Sequence, residues 1–300
     1  MPVSNKKLPF LGSAPAVVTP FTCDGRIDWE AFERILEFVI AEGSDAAVVL
    51  GTTGEASSLT EEERLAVISS AKDIINRRIP LIVGTGTNST ASTVQNCRDA
   101  RRLGADAVLT VTPYYTKASP AGLCEHFTRA AEAAEIPLIL YTVPSRTGVN
   151  IPMSVYEKLA KNENICAVKE ASGNLAAVTD LCGKFGDDLA VYSGNDELTL
   201  PVIAAGGKGV ISVAANIVPR LMHDLCRHAL NDGYDKARRI QHSLNPLIHA
   251  LFSEVNPIPV KCACDLLGLC GETMRLPLTP LDEEKRQILE AELDKLALFD

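Results

Sequence analysis

A lysine at the far end of an apolar run is the first candidate for chemistry in this chain. Residues 165–173 read ICAVKEASG, so Lys169 follows a short strand-like stretch. Because burying an ammonium group costs free energy, such a lysine either lies just outside the core or has a task. A desolvated lysine can lose its proton and attack a carbonyl carbon, which forms a Schiff base. The segment alone also fits a surface lysine where a strand emerges.

Short apolar runs alternate with amphipathic stretches eight times, and this repeat defines the elements that must position the lysine. The runs are 14–19, 46–50, 80–84, 107–111, 137–141, 165–169, 189–193 and 209–213. The stretches between them are 29–41, 61–76, 91–103, 121–134, 153–161, 175–185, 198–205 and 219–230. Runs that are apolar on both faces are typical of a parallel sheet. Eight such units predict an α/β fold, a (β/α)8 TIM barrel.

Local signals agree with this division of the chain. Thr60 followed by Glu63 is a capping box, and Gly43 and Gly104 stand where two helices should end. An open doubly wound sheet is the runner-up, but no GxGxxG opens a helix after the first strand. We therefore predict a barrel domain over residues 1–232 and a C-terminal helical extension over 233–300. The extension should contain helices at 234–251, 257–267 and 282–298.

Composition argues against several classes of partner. The 300-residue chain has a net charge of −9 and no basic run, so nucleic acid and an anionic membrane are not expected partners. No apolar run reaches the 18 or so residues that a membrane span needs, and Pro9, Pro15 and Pro20 interrupt the apolar N-terminal stretch, so we expect no signal peptide. Nine cysteines without an export signal indicate reduced thiols and a cytoplasmic protein. Cys262, Cys264 and Cys270 cluster without a CxxC pair, so no zinc site is expected.

Polar side chains follow most of the predicted strands, and in a barrel these strand ends share one rim. The loop at 51–55, GTTGE, can bind a carboxylate or phosphate through its backbone N–H groups. Tyr141 can shuttle protons beside Lys169, and Arg146 can bind a carboxylate in bidentate fashion. Tyr114 and Tyr115 can line a pocket or a subunit interface. Taken one at a time, the motifs have plainer interpretations. The GTTGE loop also fits a simple turn, Tyr141 a core tyrosine, and Arg146 a solvated loop arginine.

Seven motifs in order give the chain a resemblance to a known family. They are GTTGE at 51–55, VTPYY at 111–115, YTVPSRTG at 141–148, AVKEASG at 167–173, YSGND at 192–196, GGKGVISV at 206–213 and NPIPVK at 256–261. With these motifs the chain resembles the dihydrodipicolinate synthase/N-acetylneuraminate lyase family of class I aldolases. Arg146 favours the synthase branch, whose members condense pyruvate with L-aspartate 4-semialdehyde toward diaminopimelate and lysine. The same arginine argues against a sugar-acid lyase or 2-keto-3-deoxy-acid aldolase, the alternative within the family.

The resemblance implies a role for each matching residue. Lys169 would form the Schiff base, and Tyr141 would be its acid and base. Thr52, Tyr141 and Tyr115 would form a proton relay, with Tyr115 inserted from a neighbouring subunit. The carboxylate-binding and pocket-forming residues would be Thr53 for pyruvate, Arg146 for the semialdehyde, and backbone groups at Gly194 and Ile211. No metal or organic cofactor would be needed, since the covalent lysine supplies the electron sink. A third hypothesis, a barrel that only binds pyruvate-like acids, would not need this relay.

The chain departs from the family pattern at a few positions. Thr142 replaces the usual asparagine after Tyr141. Some members carry a lysine-feedback site, and this chain retains its Asn88 and Tyr114 but has other residues at four positions, Ala56, Glu61, Arg64 and Ser92. These residues offer poor polar partners for the ammonium and carboxylate groups of a bound lysine, so the cost of desolvating the ligand would not be offset. We therefore expect weak or absent inhibition by lysine. The family also implies a homo-oligomer, a tetramer built as a dimer of dimers.

Overall fold

A closed barrel of eight parallel strands forms the centre of the molecule. The computed structural model describes residues 6–296. The strands are β1 (Gly12–Pro15), β2 (Ala47–Val49), β3 (Leu81–Gly84), β4 (Ala107–Val111), β5 (Leu138–Thr142), β6 (Ile165–Glu170), β7 (Ala190–Ser193) and β8 (Gly209–Ser212). Their order is β1-β8-β7-β6-β5-β4-β3-β2, and a parallel bridge between Ala16 and Val48 brings the first and last together. The predicted (β/α)8 barrel is confirmed.

Helices cover the barrel and continue past its last strand. They are α1 (Trp29–Ala41), α2 (Glu61–Ile75), α3 (Thr90–Arg102), α4 (Pro120–Ala134), α5 (Pro144–Thr147), α6 (Met153–Leu159), α7 (Leu175–Phe185), α8 (Thr199–Ala204), α9 (Pro219–Leu230), α10 (Tyr234–Leu251), α11 (Ile258–Leu266) and α12 (Glu283–Lys295). All the predicted helices are present. The single-turn α5 was not predicted, because four residues are too few to show a helical period. The predicted last helix ran to 298, and residues 297–298 lie outside the described part.

The predicted helix signals have their expected geometry. The Thr60 hydroxyl accepts a hydrogen bond from the Glu63 N–H, and the Glu63 carboxylate accepts one from the Thr60 N–H. Gly43 and Gly104 follow the ends of α1 and α3 with φ angles of +85° and +89°. These left-handed angles strain residues with a Cβ, which explains glycine at both helix ends.

The barrel interior is packed mainly with small and branched side chains. Ala14, Ala167 and Ile211 belong to one buried cluster on the inner face of the sheet. The Tyr192 ring stacks on Phe10 with ring centroids 4.3 Å apart, and its hydroxyl donates to the Phe10 carbonyl at 2.6 Å. Because Phe10 lies two residues before β1, its ring packs at the N-terminal end of the barrel. The C-terminal end is thereby left for the polar residues.

The C-terminal helices are bound to the barrel by a buried ion pair. Lys261 on α11 is fully buried, and its Nζ lies 2.5 Å from the Glu55 carboxylate in the loop after β2. The ammonium also donates to the Thr273 carbonyl at 2.8 Å and lies 4.1 Å from the Phe21 ring centroid. Burial lowers the pKa of Lys261, and the Glu55 charge partly opposes that shift. We propose that the predicted barrel (1–232) and extension (233–300) fold as one unit over their described residues, 6–296.

None of the helices within residues 6–296 combines the length and the apolar character that crossing a bilayer requires.

We predict that Lys261→Met destabilises the protein strongly. Removing one partner of a buried pair leaves the Glu55 charge uncompensated, which typically costs about 3–5 kcal/mol. The free energy of unfolding in urea, compared at one protein concentration, measures the change.

The matched control is Lys72→Met, which removes a surface ion pair with Asp73. Exposed pairs contribute at most about 1 kcal/mol, so this variant should unfold close to the wild type. Equal midpoints for the two variants would contradict a stabilising role for the buried pair.

Candidate active site

Lys169 lies inside the barrel near its C-terminal end. It is the fifth residue of β6, it is only 6% exposed, and it pairs in register with Tyr141 on β5 and Tyr192 on β7. Its Nζ lies 4.5 Å from the centroid of the Tyr141 ring. Successive residues of a strand point to opposite faces, so Lys169 points inward while Glu170 points toward the outer helices. The register therefore places the predicted nucleophile beside the predicted acid and base.

A glycine makes room for the lysine. Gly194 follows β7, and a Cβ on it would lie 3.1 Å from the Lys169 Cε and 2.6 Å from the Ala171 Cβ. The second distance is shorter than packed carbon atoms tolerate. The Gly194 N–H donates to the Glu170 carbonyl at 2.7 Å, which fixes this close approach. Gly194, predicted for its backbone groups, thus also leaves space for the Lys169 side chain.

A buried carboxylate lies under the same rim. Asp196 is 1% exposed and accepts hydrogen bonds from the Val213 N–H at 3.1 Å and the Ala214 N–H at 2.9 Å. Burial raises the pKa of Asp196 to about 6, although its bond from Ala214 and the charge of Lys169 act in the opposite direction. Asp196 therefore ties the end of β8 to the loop after β7 and contributes a negative potential near Lys169.

A cavity of about 480 Å³ opens over this end of the barrel. It is lined by three of the predicted site residues, Thr52, Tyr141 and Arg146. Arg64 and Tyr114 line it as well. Burial lowers the pKa of Arg64, and its Nε has no hydrogen-bond partner within residues 6–296. The cavity thus has hydroxyl groups and two guanidinium groups on its walls, which suits anionic substrates.

The two predicted carboxylate-binding residues are linked by one asparagine. Thr53 is buried, and its Oγ1 accepts a hydrogen bond from the Asn256 Nδ2 at 3.0 Å. Arg146 is exposed at the cavity, and its Nη2 donates to the Asn256 carbonyl at 3.1 Å. The loop between α10 and α11 therefore reaches the site from the C-terminal extension.

Five of the eight predicted site residues do not line this cavity, namely Lys169, Thr53, Gly194, Ile211 and Tyr115. Ile211 on β8 is 1% exposed and packs in the inner cluster of the barrel. Tyr115 is 89% exposed, with a φ of +72°, and its side chain does not line the cavity of its own chain. A phenol this exposed is available to a second copy of the chain.

Three residues of the site were not assigned roles from the sequence. Asn256 and Asp196 fall within two of the seven motifs, NPIPVK and YSGND, which were the available signals. Arg64 was noted only as a departure from the family pattern. The contacts of Asn256 and of the Asp196 carboxylate join residues from separate elements of the barrel and extension, so spacing alone could not reveal them.

The arrangement can support carbonyl chemistry through an amine. Lys169 offers a nucleophilic nitrogen in a desolvated place, and the Tyr141 phenol beside it can exchange protons. Thr53 and Arg146 can hold carboxylates in the same region. Within residues 6–296, no three His, Cys, Asp or Glu side chains come together as a set that could hold a metal ion.

Comparison with known proteins agrees with the motifs and the fold. Residues 9–296 match the model of the "Dihydrodipicolinate synthetase family". The chain is 47% identical to a 4-hydroxy-tetrahydrodipicolinate synthase of Alkaliphilus oremlandii, over 95% of this chain and 98% of that protein. It is also 47% identical to one of Methanosarcina mazei, over 97% of this chain and 100% of that protein. The crystal structure of dihydrodipicolinate synthase from Aquifex aeolicus superposes with a TM-score of 0.94 at 43% identity, covering 96% of this chain and 99% of that one. The chain therefore belongs to the dihydrodipicolinate synthetase family.

Proposed function

We propose that this chain condenses pyruvate with L-aspartate 4-semialdehyde to give 4-hydroxy-tetrahydrodipicolinate, a step in diaminopimelate and lysine biosynthesis. The observation that carries the proposal is the placement of Lys169 beside Tyr141, which lines the same cavity as Arg146. The names of the relatives, at 47% identity over nearly the whole chain, support the same reaction.

The first half of the mechanism uses Lys169 as a covalent catalyst. Its Nζ attacks C2 of pyruvate, and loss of water gives an imine. Thr53 holds the pyruvate carboxylate, and Gly194 and Ile211 complete the pocket. Removal of a proton from the pyruvate methyl group gives an enamine, whose formation the iminium nitrogen assists by accepting the electron pair. Tyr141 carries the protons, relayed through Thr52 and Tyr115.

The second half forms the carbon–carbon bond and releases the enzyme. The enamine carbon attacks the aldehyde of the semialdehyde, whose carboxylate is held by Arg146. The amine of the semialdehyde part then attacks the imine carbon, displaces the Lys169 nitrogen and closes the ring. Charge-assisted binding of a carboxylate by a planar guanidinium favours this substrate over a neutral aldose.

We also propose that the active form is a homo-oligomer in the cytoplasm. Because Tyr115 is almost fully exposed and does not line its own cavity, a second subunit must approach for it to join the relay. We infer at least a dimer, and a tetramer as a dimer of dimers from the family resemblance. A reducing compartment fits the nine cysteines, all of which are unpaired.

Lys169→Ala should abolish covalent capture of pyruvate. Incubation with pyruvate and borohydride should add one reduced adduct to the wild-type chain, and mass spectrometry of its peptides should locate it on Lys169. The variant should gain no adduct and lose at least about 10³-fold in turnover, as removal of a covalent nucleophile does. Lys161→Ala, which removes an exposed lysine, is the control and should behave as wild type. An adduct on another lysine would contradict the assignment.

Arg146→Ala should selectively weaken use of the semialdehyde as a substrate. Loss of a charge-assisted bond should lower kcat/KM for the semialdehyde by about 10- to 100-fold. Initial rates at varied semialdehyde, coupled to the next reductase, measure this change. Trapping of pyruvate by borohydride should persist in the variant. Unchanged kcat/KM would point to another aldehyde, such as that of a 2-keto-3-deoxy acid.

Millimolar lysine should leave the rate nearly unchanged. The Arg64 side chain lines the cavity, and its Nε has no hydrogen-bond partner among the described residues, so this cation would repel the ammonium group of a lysine ligand. Initial rates with and without lysine at subsaturating pyruvate provide the measurement. A halving of the rate would show that this chain retains an inhibitory lysine site.

A further inference from the structure

Asn256 contacts both residues that the proposed function assigns to substrate carboxylates. Its side chain donates to the Thr53 hydroxyl, and its backbone carbonyl accepts from the Arg146 guanidinium. It belongs to the C-terminal extension, whereas Thr53 and Arg146 follow β2 and β5 of the barrel. A single residue therefore connects two binding groups that come from separate strand ends.

The hydrogen bond from Asn256 determines whether the Thr53 hydroxyl can donate its proton to a ligand. A threonine hydroxyl has one proton to donate and two lone pairs that accept. The Asn256 Nδ2 occupies a lone pair at 3.0 Å, and within residues 6–296 the Thr53 hydroxyl has no acceptor for its own proton. The proton of this buried hydroxyl is therefore available to a carboxylate.

The bond to Arg146 leaves most of that guanidinium free. A guanidinium carries five N–H donors in a planar fork. One donor of Nη2 is used by the Asn256 carbonyl, at 3.1 Å. The remaining donors can engage a carboxylate in bidentate fashion, while the carbonyl limits rotation of the long side chain.

A second contact fixes the same two segments against each other. The buried Lys261–Glu55 ion pair joins a residue five positions after Asn256 to one two positions after Thr53. Asn256 is 7% exposed, and its Oδ1 accepts no hydrogen bond from the described residues. The asparagine is therefore held in place mainly by its contact with the site and the adjacent ion pair.

We propose that Asn256 is a positioning residue that orients both carboxylate-binding groups, acting on pyruvate through Thr53 and on the semialdehyde through Arg146. This inference rests on the proposed function, because it concerns the carboxylates of those two substrates. Asn256 itself touches neither substrate in this scheme. Its side-chain amide orients the Thr53 hydroxyl so that the proton points to pyruvate, and its backbone carbonyl orients the Arg146 guanidinium toward the semialdehyde.

The test replaces the amide by a carboxylate of nearly the same shape. Asn256→Asp removes the donor and supplies acceptors, which draw the Thr53 proton away from pyruvate and place a like charge near its carboxylate. We expect the pyruvate concentration for half-maximal borohydride trapping to rise by at least about tenfold. Asn256→Ala, which lacks both donor and charge, should show a smaller rise, and both variants should still be trapped at saturating pyruvate.

Two further variants separate positioning from a general structural effect. Asn245→Asp is the matched control, because Asn245 accepts from the Gln241 Nε2 at 2.9 Å and aspartate keeps that acceptor. This variant should reach half-maximal trapping at the same pyruvate concentration as the wild type. In a Thr53→Val background, Asn256→Asp should raise the half-saturating pyruvate concentration less than it does in the wild-type background, since only its like charge then acts on pyruvate.

A solely structural role predicts a different set of results. It would lower the melting temperature and the trapped fraction while leaving the half-saturating pyruvate concentration of the active fraction unchanged. That result, or an equal effect of Asn256→Asp with and without the Thr53 hydroxyl, would overturn the proposal. If the wild-type chain were not trapped by pyruvate, the proposed function would fail first and this inference with it. Trapping without turnover of the semialdehyde would overturn the role toward Arg146 alone.

Discussion

Closure of a parallel barrel is the constraint on which the rest of the structure depends. Because all eight strands run in the same direction, their C-terminal ends share one rim. Lys169, Tyr141, Gly194 and the loop from Thr52 to Glu55 meet there, although they span most of the barrel sequence. The closed interior is narrow, and the absence of a side chain at Gly194 leaves space for the Lys169 side chain. The same closure that desolvates the amine therefore also determines which residues can surround it.

A few positively charged side chains are concentrated around this rim. The chain has a net charge of −9, yet its cavity is lined by two arginines, and Lys169 lies beside Tyr141, another residue of the cavity wall. Local guanidinium groups and a presented hydroxyl can attract carboxylates without a positive protein surface. Asp196 balances part of this charge, and burial holds its pKa near 6 while two backbone N–H groups stabilise its anion. Binding of anions thus depends on a few well-placed donors.

The C-terminal helices are part of the site as well as of the fold. Lys261 is buried against Glu55, and Asn256 reaches Thr53 from the same extension. A buried ion pair contributes little net stability compared with apolar packing, but it tolerates only one arrangement of its partners. We interpret the pair as a register device that fixes the loop between α10 and α11 against the loop after β2. The barrel supplies the reacting groups, and the extension helps to hold them.

The amino-acid sequence by itself determined the alternation of elements and the residues that carry the chemistry. The period of apolar runs predicted the barrel. The motif around Lys169 predicted amine catalysis on a carbonyl group, and Arg146 predicted binding of a carboxylate, because residue type and local spacing specify such features. Only the tertiary structure decided which distant residues meet. The contact of Asn256 with Thr53 spans 203 positions, and that of Lys261 with Glu55 joins a helix after the barrel to its second loop. Strand register, burial and chain closure fix such pairs, and none of these leaves a periodic signal in the sequence.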